Sequence, residues 1–248
     1  MKNISNKLIS TLLTLTIVFG LFAATPLTVH ADFAAVVGGE LATFKVFQKV
    51  NTYTYGQFAD VNENDWYGSN KQGAVANAFE YGLMKGTDSS TFNPTGDMTI
   101  ADAITIAARV HSIYNGGSGE FVQGSPWYQV YVDYAIDKKI TTAGNFPNYE
   151  KAATRAEMAH IFARTSVPVT LAINEMNGPA NTVNVLPDVN STTPYHEDIV
   201  KLYEAGILTG SDTQGTFHPN SSITRAEAAA IIARVILLDA RVSGRTYG

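Results

Sequence analysis

The chain has 248 residues, with 17 lysines and arginines, 22 aspartates and glutamates, and no cysteine. The absence of cysteine excludes disulfide bonds and lipid attachment through an N-terminal cysteine, so stability must come from packing. A net charge of −5 argues against general nucleic-acid binding, which requires a basic face. Any anion site in this protein must therefore be local.

The first 31 residues have the pattern of a secretory signal peptide. Lys2 and Lys7 precede an apolar run over residues 8–24, and residues 29–31 form a cleavage site. An uncleaved membrane anchor is disfavoured, because the run is short and broken by glycine and proline. The exported protein is expected to begin at Asp32, to contact no membrane and to carry a net charge of −7 over 217 residues.

One helical pattern occurs three times, as MTIADAITIAARV from position 98, ATRAEMAHIFART from 153 and ITRAEAAAIIARV from 223. Each copy has apolar residues at helical spacing behind a threonine, with an acidic residue three positions after the threonine. This spacing is the form of a capping box, although aspartate is a short substitute in the first copy. The three threonines Thr99, Thr154 and Thr224 are therefore predicted to begin helices.

Two copies place an arginine directly after this threonine, at Arg155 and Arg225, whereas the first copy has Ile100. The helix dipole disfavours a cation at a helix start, so each arginine requires an anionic partner. That partner is either a carboxylate of the chain, such as Glu157, Glu227 or one across a repeat boundary, or a bound ligand. If the arginine is functional, the first copy is expected to have lost or changed the function.

The three helix starts belong to longer repeats. Each repeat contains a loop, an amphipathic helix (roughly 70–81 in the first), a turn bounded by glycine in the first and third copies, a second loop and the capped helix. One such unit cannot bury its apolar stripe alone, so three units share a core, as an open solenoid or closed around a pseudo-threefold axis. The predicted divisions are a signal peptide (1–31), a tether or packed N-terminal segment (32–57), repeat 1 with a degenerate TIAD motif (58–115), repeat 2 (120–166), a connecting loop (167–185), repeat 3 (186–240) and a C-terminal tail (241–248).

This ordered set of motifs resembles the S-layer homology domain family. The resemblance extends from Phe58 to about Leu238 and rests on an F-x-D start, a Trp-Tyr or Tyr entry to the first helix, a G-I-L-x-G turn, an F-x-P loop and the T-R-A-E helix start. It implies a mainly α fold in which three helix-loop-helix repeats form a pseudo-threefold spindle around a central helical bundle. It also implies grooves between neighbouring repeats.

The resemblance implies a non-covalent anchor of the kind that holds exported proteins on Gram-positive-type cell envelopes. Members of the family bind secondary cell-wall polysaccharide attached to peptidoglycan, which commonly carries the carboxylate of a pyruvate ketal. The resemblance thus implies a secreted, cell-wall-associated protein without a cofactor. An arginine beside free backbone N–H groups at a helix start suits such a carboxylate.

Arg155 and Arg225 correspond to the ligand-binding arginine of the family, and Ile100 puts in question the groove that uses the first repeat's helix. The predicted glycan-binding residues are Arg155, Arg225, Trp66, Trp127, Tyr195, Lys85, Gly86, Gly210, Asp60 and Asp188.

Several of these residues also have a structural interpretation. Trp66 and Trp127 suit either stacking on a sugar ring or packing at the start of a repeat. Asp60 and Asp188 are expected to make Asx turns that orient the entry loop, with binding of sugar hydroxyls as the lesser alternative.

The glycine turns have two interpretations as well. Gly86 and Gly210, together with Gly82 and Gly206, are expected to supply positive φ at a helix end. A glycine turn also lets a ligand approach the backbone, and Lys85 would add positive charge in one of these turns.

No catalytic or metal site is predicted. Nucleophile, base and orienting group form no recognisable set, and the run from Asp60 lacks the glycine and the final glutamate of a calcium-binding EF-hand loop. The protein is therefore not expected to be an enzyme. Two alternatives stay open: a structural subunit of a surface coat, whose partners are further copies or S-layer proteins, and a wall-bound hydrolase with an unrecognised site.

Overall fold

The computed structural model describes residues 47–165 and 186–242. These ranges are mainly helical, which confirms the predicted mainly α class. No helix within them is both long and apolar enough to cross a membrane. The predicted signal peptide and connecting loop lie outside the described residues. The helices are α1 (Ala74–Glu80), α2 (Ile100–Tyr114), α3 (Gln129–Asp137), α4 (Arg155–Phe162), α5 (His196–Glu204) and α6 (Arg225–Ile236), followed by a 3₁₀ turn (Leu238–Ala240).

Capping boxes begin α2, α4 and α6, as predicted. In each box the threonine side chain accepts a hydrogen bond from the backbone N–H three positions later, and the acidic side chain at that position accepts from the threonine N–H. Asp102 completes this geometry in α2, as Glu157 and Glu227 do in α4 and α6. The shorter acid is therefore sufficient for the cap.

Helix α1 begins at Ala74, later than the predicted start near Asn70. The residues before it form turns instead, because the N–H of Asn70 donates to the carbonyl oxygen of Glu63 at 3.0 Å and the N–H of Ser69 donates to the Glu63 carboxylate at 3.0 Å. Glu63 thus holds these residues out of the helix.

Three backbone hydrogen bonds connect the segments just before the capped helices in a closed cycle. The N–H of Met98 donates to Ile223 at 3.0 Å, the N–H of Ile223 to Ala153 at 3.0 Å, and the N–H of Ala153 to Met98 at 2.7 Å. All three side chains are fully buried. Because each segment donates to one neighbour and accepts from the other, no pair of segments can complete this cycle without the third.

The helices pack across the repeat boundaries in the same order. The first helix of each predicted repeat lies on the second helix of the preceding one: α3 on α2, α5 on α4, and α1 on α6. Helices α2 and α4 also pack on each other. The buried apolar residues of all these helices form one continuous core.

Substitution of a buried residue on α5 tests this shared core. Ile199 is fully buried on the helix that packs on α4. Ile199→Ala is expected to lower the free energy of unfolding by about 2–5 kcal/mol, because it removes buried methyl groups and leaves a cavity. Denaturant unfolding measures the change. The control is Val122→Ala at a side chain that is 93% exposed, where a change within about 0.5 kcal/mol is expected; equal effects of the two variants would contradict the packing.

Candidate functional site

Arg155 is a buried residue, 7% exposed, that reaches from α4 to the third predicted repeat. Its Nε donates to the carbonyl oxygen of Phe217 at 2.6 Å, and its Nη1 donates to Oε1 of Glu227 at 2.6 Å. The guanidinium also lies 4.8 Å from the ring centroid of Phe217. Burial lowers the pKa of Arg155, and the Glu227 carboxylate offsets part of that effect. The required anionic partner is therefore a carboxylate across a repeat boundary.

Arg225 makes equivalent contacts with the first repeat, but without the ion pair. Its Nε donates to the carbonyl oxygen of Phe92 at 2.7 Å, its Nη2 donates to that of Lys85 at 2.7 Å, and its guanidinium lies 4.8 Å from the Phe92 ring. Within residues 47–165 and 186–242, Arg225 belongs to no salt bridge. Burial lowers its pKa, and the charges of Asp102 and Asp60 act against this effect.

The third boundary, between predicted repeats 1 and 2, has Ile100 in place of the arginine. Ile100 is fully buried in the core. The capping residue opposite, Glu157, forms an ion pair with Lys151 at 2.6 Å instead. A nearby lysine therefore neutralises the carboxylate that would otherwise face an arginine.

The backbone N–H groups beside the arginines are already used. In α4, the N–H groups of Arg155 and Ala156 donate to the carbonyl oxygens of Ser221 and Pro219 at 2.9 and 3.0 Å. The equivalent groups of α6 donate to the first repeat in the same way. The expectation of free N–H groups that help to bind a carboxylate is therefore wrong, because neighbouring repeats satisfy these donors. Only side chains are available to an anion at these helix starts.

A cavity of about 240 Å³ brings together three predicted site residues, Arg155, Trp66 and Gly210. Its wall comes from all three predicted repeats, because Trp66 belongs to the first, Arg155 to the second and Gly210 to the third. The Trp66 side chain is 40% exposed. The remaining lining combines apolar and polar side chains and comprises Gln72, Leu208, Thr209, Ser211, Glu227, Ala230, Ile231 and Arg234.

The loop that carries Trp66 is fixed by the buried carboxylate of Glu63. This carboxylate accepts hydrogen bonds from the N–H of Gly56 at 3.0 Å, the N–H of Ser69 at 3.0 Å and the hydroxyl of Tyr53 at 2.7 Å. Burial by itself raises the pKa of Glu63, but these hydrogen bonds outweigh it and hold the pKa below its ordinary value. Residues 53–56 thus support the loop at one side of the cavity.

Gly86 and Gly210 are required by close backbone contacts. A Cβ atom on Gly86 would collide with the carbonyl oxygen of Asp88, and one on Gly210 would collide with the backbone of Gly215. Neither glycine has a positive φ, so that expectation is wrong for them. It is confirmed for the glycines at 82 and 206, whose φ angles are 68° and 70°.

The carboxylates of Asp60 and Asp188 orient the F-x-P loops. Asp60 accepts from the N–H groups of Phe92 at 2.8 Å and Asn93 at 2.6 Å. Asp188 accepts from the corresponding loop, at 2.7 Å from the N–H of Phe217. The predicted Asx turns are therefore wrong, because both carboxylates bond to a distant loop. The same loops supply the carbonyl oxygens to which the two arginines donate.

Trp127 and Tyr195 do not line this cavity. Trp127 is 41% exposed and makes an edge contact with Tyr128. The Tyr195 ring lies 4.1 Å from the ring of His160. His160 in turn lies 2.9 Å from a carboxylate oxygen of Asp198, so Tyr195 packs where α4 meets α5.

Arg234 and Gln72 also line the cavity, although no sequence motif indicated them as site residues. Arg234 donates to Oε1 of Gln72 at 3.1 Å and to the carbonyl oxygen of Ile207 at 3.2 Å. A signal for Arg234 was present, since an arginine follows the capping acid by seven positions in all three copies, at Arg109, Arg164 and Arg234. Gln72 carries no such repeated signal.

No group of three or more histidine and acidic side chains in the described ranges is arranged to hold a metal ion. His160 contacts Asp198, and Arg164 also pairs with this carboxylate. This cluster connects two helices.

Comparison with known proteins supports the resemblance for two of the three predicted repeats. The S-layer homology domain model matches residues 57–104 and 186–229, which overlap repeats 1 and 3. A surface-layer 125 kDa protein of Lysinibacillus sphaericus is 25% identical over 189 residues, an alignment that covers 73% of this chain and 15% of that protein. The S-layer homology model thus matches two regions of the chain, and the three-repeat organisation stays a prediction.

The buried carboxylate of Glu63 predicts a pH-dependent stability. Its folded pKa lies below the ordinary value of 4.5, so its stabilising effect is present above that value and is lost as the pH falls through the folded pKa. Glu63→Gln is expected to lower the free energy of unfolding near neutral pH and to reduce its decline in acid. Denaturant unfolding from about pH 7 to about pH 2 measures this dependence.

The control for this experiment is Glu150→Gln, a change at an exposed side chain. Its pH profile is expected to follow that of the parent protein. If the Glu63 variant also follows the parent profile, the hydrogen bonds to Glu63 do not contribute the expected pH dependence.

Proposed function

We propose that this protein is an exported, non-covalent cell-surface anchoring module. It binds acidic secondary cell-wall polysaccharide, with a pyruvate ketal as the anionic group, in grooves between its repeats. The observation that carries the proposal is the cavity in which the Arg155 guanidinium, the half-exposed Trp66 and the Gly210 turn meet. A cavity with an aromatic side chain, an apolar wall and a few placed polar groups suits a sugar ring.

The distribution of charge supports an anionic ligand at these boundaries. The exported chain is acidic overall, yet Arg155 and Arg234 line the cavity, and Arg225 lies against the Lys85 turn at another boundary. A guanidinium recognises a carboxylate through charge-assisted hydrogen bonds. Local positive charge in an acidic protein favours a specific anion site over general attraction to polyanions.

The proposed fold is a pseudo-threefold spindle with one groove at each repeat boundary. The closed cycle of three hydrogen bonds and the cyclic helix packing support it. In this arrangement Trp127 corresponds to Trp66 in the second repeat, and Tyr195 corresponds to Tyr67 in the third repeat, where proline replaces the tryptophan. The carboxylates of Asp60 and Asp188 position the loops instead of contacting the glycan.

The proposed role is binding and not catalysis. The S-layer homology match and the surface-layer relative support a non-enzymatic protein that acts at the cell surface. Its proposed partner is wall polysaccharide attached to peptidoglycan.

A sedimentation assay with purified Gram-positive sacculi tests the proposal. The parent protein is expected to bind sacculi that retain the wall polysaccharide and not sacculi from which it has been removed. Replacing both Arg155 and Arg225 with alanine removes at least one charge-assisted contact of about 1.5–3 kcal/mol, so affinity is expected to fall by at least about tenfold.

Lys71→Ala is the matched control, because it removes a cation from an exposed side chain before α1. It is expected to bind as the parent does. Equal binding by the folded double arginine variant, or equal binding to stripped sacculi, would count against a glycan site at these arginines.

A second candidate function is a structural subunit of a surface coat, which the surface-layer relative favours. Val50 and Tyr55 of the N-terminal segment are exposed and offer apolar contacts for assembly. Light scattering of the purified protein is expected to show a small discrete species if it is a glycan binder. Concentration-dependent growth that Tyr55→Ser abolishes would favour the coat subunit instead.

A further inference from the structure

We propose that the length of the capping acid determines which arginine receives the anionic group of the glycan. Asp102 leaves Arg225 open to a ligand, whereas Glu227 holds Arg155 in an ion pair. This inference rests on the proposed function and assigns the anionic group to Arg225. The cavity beside Arg155 then takes an uncharged, hydroxyl-bearing part of the saccharide.

The two arginines differ at a single nitrogen. Both use Nε to bind the carbonyl oxygen of an F-x-P loop, and both lie 4.8 Å from the aromatic ring of that loop. Nη1 of Arg155 donates to Glu227 at 2.6 Å. Nη1 of Arg225 has no hydrogen bond to the described residues, and it is not among their buried polar atoms that lack a partner. This nitrogen is therefore accessible to a ligand.

The capping boxes explain the difference. In α6, Oε2 of Glu227 accepts from the N–H of Thr224 at 2.9 Å, which leaves Oε1 for Arg155. In α2, Oδ2 of Asp102 accepts from the N–H of Thr99 at 3.0 Å and from its hydroxyl at 2.7 Å. Asp102 has one methylene fewer, so a carboxylate held by its own threonine does not extend to Arg225.

An anion meets a different electrostatic situation at each arginine. At Arg155 it must displace Glu227 or lie beside it, and a second carboxylate at short range disfavours the charged form of both. The guanidinium is also nearly enclosed there. At Arg225 the charges of Asp102 and Asp60 act on the guanidinium, but no ion pair has to break. Arg225 also donates to the carbonyl oxygen of Lys85, a residue that adds positive charge to this turn.

The third boundary supplies an internal control. Its capping acid is the longer Glu157, but the residue opposite is Ile100 and the carboxylate pairs with Lys151. Shortening this acid changes a capping box without exposing any arginine. Glu157→Asp therefore shows how shortening a capping acid by itself affects binding and stability.

The experiment exchanges the two acids and measures binding to sacculi that retain the wall polysaccharide. Asp102→Glu is expected to weaken binding about tenfold by pairing with Arg225, a loss comparable with that of Arg225→Ala. Once Arg225 is alanine, adding Asp102→Glu should cause no further loss. Glu227→Asp should bind at least as well as the parent, and Glu157→Asp should bind as the parent does.

Thermal unfolding of each variant accompanies the binding assay. Asp102→Glu is expected to be as stable as the parent protein, because glutamate is the usual acid of a capping box. A binding loss in a folded protein is then an effect on the site and not on the fold.

The outcomes separate this inference from the proposed function. If Arg155→Ala abolishes binding while Arg225→Ala and Asp102→Glu bind as the parent does, the inference is wrong and the anchoring function stands. If the parent protein binds stripped and intact sacculi equally, the anchoring function itself is wrong.

Discussion

The fold depends on how the N–H groups at three helix starts are satisfied. The first N–H groups of an α-helix have no partner within the helix. Here the threonine cap satisfies one of them, and carbonyl oxygens of the neighbouring repeat accept from the two before it, as in the pairs from Arg155 and Ala156 to Ser221 and Pro219. A repeat taken alone would leave these donors unpaired, so each helix start is completed only by its neighbour.

This constraint places the arginines at repeat boundaries. Arg155 and Arg225 are the first helical residues, so their own N–H groups bind the neighbouring repeat and their side chains extend along it. Each guanidinium therefore contributes to the interface, and that of Arg155 also lines the cavity. The structural and ligand-binding interpretations of these arginines are not exclusive, because Nε and Nη2 hold the interface while Nη1 alone distinguishes the two boundaries.

The sequence was informative where an interaction is local. The capping boxes follow from residues three positions apart, and the structure has all three. It was misleading where a side chain reaches across a long loop: Asp60 resembles a turn residue, yet it binds the N–H groups of Phe92 and Asn93. The partner of Arg155 could not be identified from the sequence. Burying a cation has the same desolvation cost whether a carboxylate of the chain or a bound ligand compensates it. Gln72 enters the cavity only through the packing of α1 on α6.

Repetition with small differences gives three boundaries with different chemistry on one framework. Each capping acid has two oxygens, and its own threonine engages only one of them in each box. The other oxygen is free to meet whatever the neighbouring repeat presents: Arg155 at Glu227 and Lys151 at Glu157. Because the cap is complete without that second contact, the boundary residues can change without loss of the helix start. The framework thus tolerates an open arginine at one boundary, a paired arginine at another and a buried isoleucine at the third.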